Sequence, residues 1–445
     1  MNQTYMKEKP ILPLIISMSL PMMLSMMVNS LYNIVDSIFV AKLGENAMTA
    51  ISLVYPIQNL IVAISVGFGI AANAMIAFYL GAGKREKADE VGTHSLTFNV
   101  LHAIIFTVVG LLIMPNFLGL FTSNSKIIDL GINYSSIVLW FSIVSMVGIT
   151  FEKLFQSEGK MMISMISMIA GCVVNIILDP IMIFGLGPIP AMGIKGAAWA
   201  TGIGQIVTLL IYLIYYFKGH INVRLRMKYV KPNKSILGRL YFIGVPAALN
   251  LALPSLLVSA LNGILAAFSP IYVVVLGVYY KLQTFIYLPA NGIIQGMRPI
   301  LSYNYGAGED KRVKKIYKLS LALIVGMMFI GMILCFVIPK QLIGLFTDST
   351  ETINAGVLAL RIISMGFVIS AFSVTSSGAL EALGKGVESL IISLLRYVFL
   401  IIPIAFILSK LVGVTGVWNA FWITEVLAAI VVAILFGKLL FGKRK

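Results

Sequence analysis

Apolar residues run along this chain in long blocks, and polar residues fall mainly in the short breaks between them. The blocks cover roughly 11–40, 50–80, 92–114, 129–156, 160–184, 193–217, 236–264, 270–304, 314–338, 353–381, 386–410 and 413–437. A helix needs about 20 predominantly apolar residues to cross a bilayer, so each block is long enough for one crossing. The pattern predicts an all-α polytopic membrane protein with twelve transmembrane helices. The first block follows the short tail MNQTYMKEKP and is too long for the apolar stretch of a signal peptide, so it is expected to remain as a span. Composition agrees: 59% of residues are hydrophobic, 11% are charged, and the mean hydropathy is +0.97. A soluble globular domain is excluded.

The polar breaks carry a charge pattern of their own. Most of the 33 Lys and Arg lie in breaks on the N-terminal side of the membrane, among them Lys84, Arg85, Lys87, Lys153, the run from Lys218 to Arg239, Lys311 to Lys318, and Lys443, Arg444 and Lys445. The opposite breaks hold Lys42, Lys126, Lys195, Lys340 and Lys410. This asymmetry predicts that both termini are cytoplasmic, in a cell membrane. The net charge of +16 is therefore read as a topology signal with attraction to anionic lipid, and no nucleic-acid partner is expected.

The pattern also repeats. At a shift of 225, YLGAGKREKADE (79–90) falls on NYGAGEDKRVKK (304–315), Pro21 on Pro246, Tyr55 on Tyr280, Gln58 on Gln283, Gly67 on Gly292, Leu120-Phe121-Thr122 on Leu345-Phe346-Thr347 and Gly159-Lys160 on Gly384-Lys385. Later the shift becomes 220, pairing Gly193 and Gly196 with Gly413 and Gly416. Each half holds an even number of spans, so both enter from the same side, a parallel repeat about an axis along the membrane normal. The expected organisation is an N-lobe at 1–217, a basic cytoplasmic linker at 218–239 and a C-lobe at 240–445, with a solute cleft between the lobes.

Polar residues inside the blocks mark candidate chemistry. In VNSLYNIVDSIFVA (28–41), Asn29, Asn33 and Asp36 share a helix face, with Tyr32 one turn before Asp36. A carboxylate centred in a membrane helix costs about 2.5–3.5 kcal/mol on insertion scales, so it faces a cavity or a partner. In the fifth block Asn175 and Asp179 share a face ahead of Pro180, and the sixth places Thr201 and Gln205 one turn apart. Asp36 and Asp179 come late in outward-running spans and Thr201 early in an inward-running one, so all three converge in the outer half of the bilayer. Two carboxylates, an amide and a hydroxyl suit exchangeable protons or Na+. Asp36 maps onto Leu261 and Asp179 onto Ile404, so this apparatus belongs to one lobe. In the other, Arg396 and Glu425 near mid-span read as a structural ion pair, with gating or substrate discrimination as the alternative. Gln58, Gln205, Lys281, Gln283 and Gln295 are cleft candidates with Asn29, Tyr32 and Asn33, and the 23 Met suit a cleft for varied flat apolar ligands. Glu152 and Glu381, at span ends, are read as interfacial.

Other classes find little support. Cys172 and Cys335 lie within apolar blocks and read as core residues, and His94, His102 and His220 do not cluster, so neither a disulfide nor a metal site is expected. GAGKRE lacks P-loop spacing, and no nucleophile or metal set marks an intramembrane enzyme. No cofactor is expected, and a monomer is the expected unit.

SLPMMLSMMVNSLYNIVDSIFVAKLG, VVNIILDPIMIFGLG and IIQGMRPILSYNYGAG together resemble the first, fifth and eighth helices of the multidrug and toxic compound extrusion (MATE) family, and the similarity extends over all twelve spans. The resemblance implies two six-helix bundles around a V-shaped cleft. It also implies antiport of lipophilic, cationic organic compounds against inward H+ or Na+. In the branch with an N-lobe cation site, the resemblance assigns the ligands to Asp36, Asn175, Asp179 and Thr201. The seventh-helix acid of another branch is missing from GVPAALNLALPSLLVSALNGILAAF. A flippase of related two-lobed architecture for a lipid-linked substrate is the competing expectation, kept open by Lys281, Arg361 and Arg396.

Overall fold

The computed structural model describes residues 4–441. Eleven helices are long and apolar enough to cross a membrane, and twelve if one bent pair counts as a single span. They are α1 (Ile11–Ala41), α2 (Glu45–Gly81), α3 (Arg85–Gly119), α4 (Ser125–Ser157), α5 (Met161–Phe184), α6 (Ile194–Phe217), α7 (Lys234–Ala266), α8 (Pro270–Gly306), α9 (Asp310–Val337), α10 (Thr350–Ser364 with Phe367–Ala382), α11 (Gly386–Val412) and α12 (Val414–Phe441). The two segments of α10 meet at 55°, a break that 353–381 did not announce. A π-helical stretch, Leu395–Leu400, interrupts α11. Lys443, Arg444 and Lys445 lie outside the described residues.

The chain divides into two compact units, one running Leu24–Gly244 and the other joining the residues before it to those from Val245 onward. The divisions fall inside α1 and α7, beside Pro21 and Pro246, the prolines that the repeat pairs. Each proline removes one N–H from its helical ladder. Glycine explains which partner each leading half takes. A Cβ on Gly296 of α8 would sit 2.7 Å from the Ser19 backbone nitrogen, and one on Gly244 of α7 would sit 3.2 Å from the Phe68 Cα. Ser19 and Gly244 are themselves repeat mates, so the same close helix contact is made once in each unit.

Two buried polar hubs correct the interfacial reading of Glu152 and Glu381. In the Leu24–Gly244 unit, Glu152 lies 2.7 Å from Lys153, and Gln156 bridges them; Lys153 is thus buried in α4 and is no loop lysine. In the other unit, Arg298 reaches Glu381 at 2.5 Å, and Asn250 donates to Glu381 and Ser389 at 3.0 Å each. Buried charges persist in such places because each is paired and hydrogen-bonded.

The basic linker behaves as a strap rather than a tether. Helix α7 begins at Lys234, so the connecting segment is 218–233. The Glu158 carboxylate accepts from the backbone of Asn222 at 2.8 Å and Val223 at 2.7 Å, and from the Asn222 side chain at 2.9 Å. Asp89 accepts from the Arg224 backbone at 2.8 Å, Thr93 from Arg226 at 3.1 Å and His94 Nε2 from Asn233 at 2.9 Å. Ile221 and Val223 are buried beneath these bonds. Burial pushes the Glu158 carboxyl above its ordinary range, and the Val223 and Asn222 donors pull against that shift.

Replacing Glu158 with Ala would leave the Asn222 and Val223 donors unpaired, at about 1–3 kcal/mol for each buried group. Trypsin is expected to cut the Glu158→Ala protein after Arg224 or Arg226 about tenfold faster than wild type, with a lower midpoint of thermal unfolding. Equal cleavage rates would mean that the remaining bonds hold the strap without Glu158.

Candidate functional site

Five helices of the Leu24–Gly244 unit contribute polar side chains to one apolar interior. Helix α1 stays regular past Pro21 and brings Tyr32 and Asp36 to one side, one turn apart. Helices α5 and α6 are joined by a tight hairpin with a single antiparallel bridge, Leu186 with Ile189. Their close approach depends on glycine: a Cβ on Gly204 would lie 2.7 Å from the Gly171 carbonyl oxygen. With the backbones this near, short side chains reach across.

Asn175 Nδ2 donates to Thr201 Oγ1 at 3.3 Å and lies 3.5 Å from Asp179 Oδ1 on its own helix. Tyr32 on α1 interacts with Thr201, and Asp36 interacts with Asp179. The chain of contacts is therefore Tyr32, Thr201, Asn175, Asp179, Asp36. Asp179 and Asn175 are buried, at 0% and 2% exposure, and Asp36 and Thr201 are half-buried. The site is closed on the α5 side and more open on the α1 side.

Its unsatisfied atoms define what it can bind. Asp36 Oδ1, Asn175 Oδ1, Asp179 Oδ2 and Gln205 Oε1 are all buried without a hydrogen-bond partner. Every one is an oxygen, and the only role open to an unprotonated carboxylate or amide oxygen is to accept. A protein donor is not at hand, so a proton or a small hard cation completes the set. Two interacting carboxyl groups can share one proton, or release it and hold a cation. Among the described residues no group of three or more His, Cys, Asp or Glu could grip a transition metal.

The other candidates distribute as follows. Gln58 donates to Tyr134 on α4 at 3.4 Å, and Tyr134 interacts electrostatically with Asp36 and Asp179. Tyr134 was not singled out from sequence; its only signal was a tyrosine among serines in GINYSSIV. Asn33 does not join the cluster: it is exposed, and its amide donates to the Asn29 carbonyl at 2.8 Å and approaches the Asn29 side chain at 3.4 Å. Lys281, Gln283 and Gln295 sit on α8 in the second unit; Lys281 is exposed, with its ammonium 5.6 Å from the Phe346 ring centroid. In that unit Arg396 Nε meets Glu425 Oε1 at 2.6 Å, and Arg396 Nη1 donates to Tyr397 at 3.1 Å. Arg361 Nη2 donates to the Phe336 carbonyl at 3.4 Å. Cys172 and Cys335 are free thiols, both buried.

A family model described as MatE matches the chain twice, over residues 21–181 and 246–407. The multidrug export protein MepA of Staphylococcus aureus (strain MSSA476) is 28% identical over 428 residues, 96% of this chain and 93% of that protein. A solved structure described as the outward-facing conformation of a multidrug resistance MATE family transporter of the MOP superfamily aligns with a TM-score of 0.92 at 25% identity, over 100% of this chain and 99% of that one. A MOP superfamily transporter from Pyrococcus furiosus gives 0.91 at 25% identity, over 99% and 98%.

The Arg396–Glu425 contact generates a folding prediction. Arg396→Met or Glu425→Met alone would strand a buried charge, at about 3–5 kcal/mol, and should lower the yield of monodisperse protein sharply. The double Met variant should recover much of that yield. A double variant no better than either single one would show that the two charges do not stabilise each other.

Proposed function

Because the two matched segments span most of its length, the chain belongs to the MatE family, and we propose that it is a secondary active antiporter for multidrug efflux. On this reading it exports lipophilic, mostly cationic organic compounds by alternating access, driven by inward H+ or Na+. It works in the cell membrane, as a monomer with both termini in the cytoplasm. The observation that carries the reading is the contact between Asp36 and Asp179, surrounded by acceptor oxygens that lack donors. MepA, named for multidrug export, supports the substrate class.

The coupling follows from charge. An empty site with its carboxyls ionised leaves like charges in contact inside an apolar bundle, which favours a hydrated, open arrangement of α1 against α5 and α6. A proton or Na+ arriving from outside removes that repulsion and completes the oxygen set. The helices then close on the ion, and the organic cation loses its counter-charge and leaves outward. Tyr32 and Tyr134 hold the second rank around the acids, Tyr32 by tying α1 to Thr201 on α6. The flippase reading needs free cations for a phosphate, and its arginines are engaged: Arg396 by Glu425, Arg361 by a backbone carbonyl.

Everted membrane vesicles loaded with each gradient separately test the reading. One gradient, H+ or Na+, should drive uptake of a fluorescent organic cation, and collapsing it should stop uptake. Asp36→Asn and Asp179→Asn should each reduce gradient-driven uptake to background in folded protein. The double variant should lose no more than either single one, since the two carboxyls act as one unit. Near-normal uptake by either single variant at matched expression removes the coupling role.

A further inference from the structure

The second unit carries charged chemistry at the place where the first carries none. At the repeat shift of 225 Arg396 falls on Gly171, and at the later shift of 220 Thr424 falls on Gly204 and Glu425 on Gln205. In the first unit Gly171 and Gly204 touch backbone to backbone. In the second, the π-helical stretch of α11 begins just before Arg396 and the helix accommodates a guanidinium instead. Single-turn π segments are frequently found at functional sites. The neighbouring helix is interrupted too: α10 breaks at Gly366, where a Cβ would lie 3.0 Å from the Trp422 Cα and 3.4 Å from the Glu425 Cγ. Two departures from regular helix therefore flank one ion pair, and at the matching positions the sister unit has the uncharged Gly171, Gly204 and Gln205.

The pair is also made in a way that leaves it open. A stabilising Arg–carboxylate contact is commonly bidentate, with two parallel N–H···O bonds. Here a single bond joins Nε to Oε1, and Glu425 Oε2 is buried with no partner. Tyr280 Oη is likewise buried and unpartnered, and Tyr280 interacts electrostatically with Arg396. Aromatic faces line the spot: the Arg396 guanidinium lies 5.0 Å from the Tyr397 ring centroid, and Tyr287, held to Ser370 at 2.7 Å, senses both charges.

We propose that Arg396 and Glu425 form a recognition subsite for aromatic zwitterions, with the ligand's carboxylate on Arg396 and its positive charge facing Glu425. Both protein charges are already desolvated and already face each other, so a zwitterion exchanges one internal contact for two without leaving either charge unpaired. Tyr280 supplies a hydroxyl to the ligand carboxylate, and Tyr397 and Tyr287 receive its ring. A simple cation finds Glu425 already bound to Arg396 and gains little there. The subsite rests on the reading of the chain as an efflux transporter and assigns recognition of a ligand carboxylate to two of its residues.

Rhodamine B, a zwitterion, and its ethyl ester, a cation, share one ring system and differ only in the free carboxylate. Their binding to purified protein is read by fluorescence anisotropy, without any gradient. Wild type should bind rhodamine B at least about tenfold more tightly than the ester. The double variant Arg396→Gln with Glu425→Gln keeps a neutral hydrogen-bonded pair and strands no charge, and in it that ratio should fall to about one. Equal binding of the two dyes by wild type overturns the proposal, and so does a folded double variant that keeps the wild-type ratio. Gradient-driven efflux of both dyes by wild type in vesicles is scored separately: its loss overturns the efflux reading while the binding ratio still decides the subsite.

Discussion

A carboxyl group inside an apolar helix bundle must be neutral, paired with a counter-charge, or wet, because the isolated anion is too costly to bury. Much of this molecule follows from how each acid meets that demand. Glu152 and Glu381 meet it with Lys153 and Arg298, and become fixed points of their bundles. Glu158 meets it with backbone donors of the linker, and so holds down a segment with only a single 3-10 turn, Met227–Tyr229. Glu425 meets it with half of an arginine. Asp36 and Asp179 meet each other and the Asn175 amide, with no counter-charge. Their buried oxygens Asp36 Oδ1 and Asp179 Oδ2 stay without a hydrogen-bond partner, which sets them apart from the paired acids.

The sequence made the helices and the two aspartates legible for the same reason: long apolar runs are unmistakable, and a charge within one stands out against them. Spacing was a weaker guide. Asn33 shares a helix face with Asp36, yet a membrane helix offers its own carbonyls to any short amide, and the Asn29 carbonyl captured it. Tyr134 was invisible because a tyrosine in an apolar helix is ordinary until its hydroxyl is placed against Gln58. The break in α10 carries no proline, only Gly366, which lets the Trp422 backbone come close; the π stretch of α11 lies one turn ahead of Pro403, whose missing N–H interrupts the helical ladder there. The linker read as a basic tether because its lysines and arginines were countable, whereas its hydrogen bonds are made by backbone groups whose partners are distant in sequence.

One repeat unit has thus been kept as architecture and divided as chemistry. Pro21 and Pro246, Gly67 and Gly292, and Gln58 and Gln283 recur at matching positions of the two halves. The Asp36–Asp179 pair lies on α1 and α5, and the Arg396–Glu425 contact on α11 and α12. A duplicated bundle allows this because helix contacts are set by small residues at a few crossing points, which leaves the remaining interior positions free to diverge.

The division of α1 at Pro21 bears on how the protein is made. Ribosomes release the N-terminus first, so residues 11–23 are made before the helices that follow them. The Leu24–Gly244 unit has all of its residues once synthesis passes Gly244. The leading half of α1 belongs to the other unit, and the α8 glycines that receive Ser19 are translated much later. Until then that half-helix is an uncommitted guest in the lipid, with Ser17 able to bond only within its own helix, to the Leu14 carbonyl. The first half of the gene therefore encodes one complete bundle plus the opening piece of the next, and two half-length proteins split at the linker would not be two equal halves.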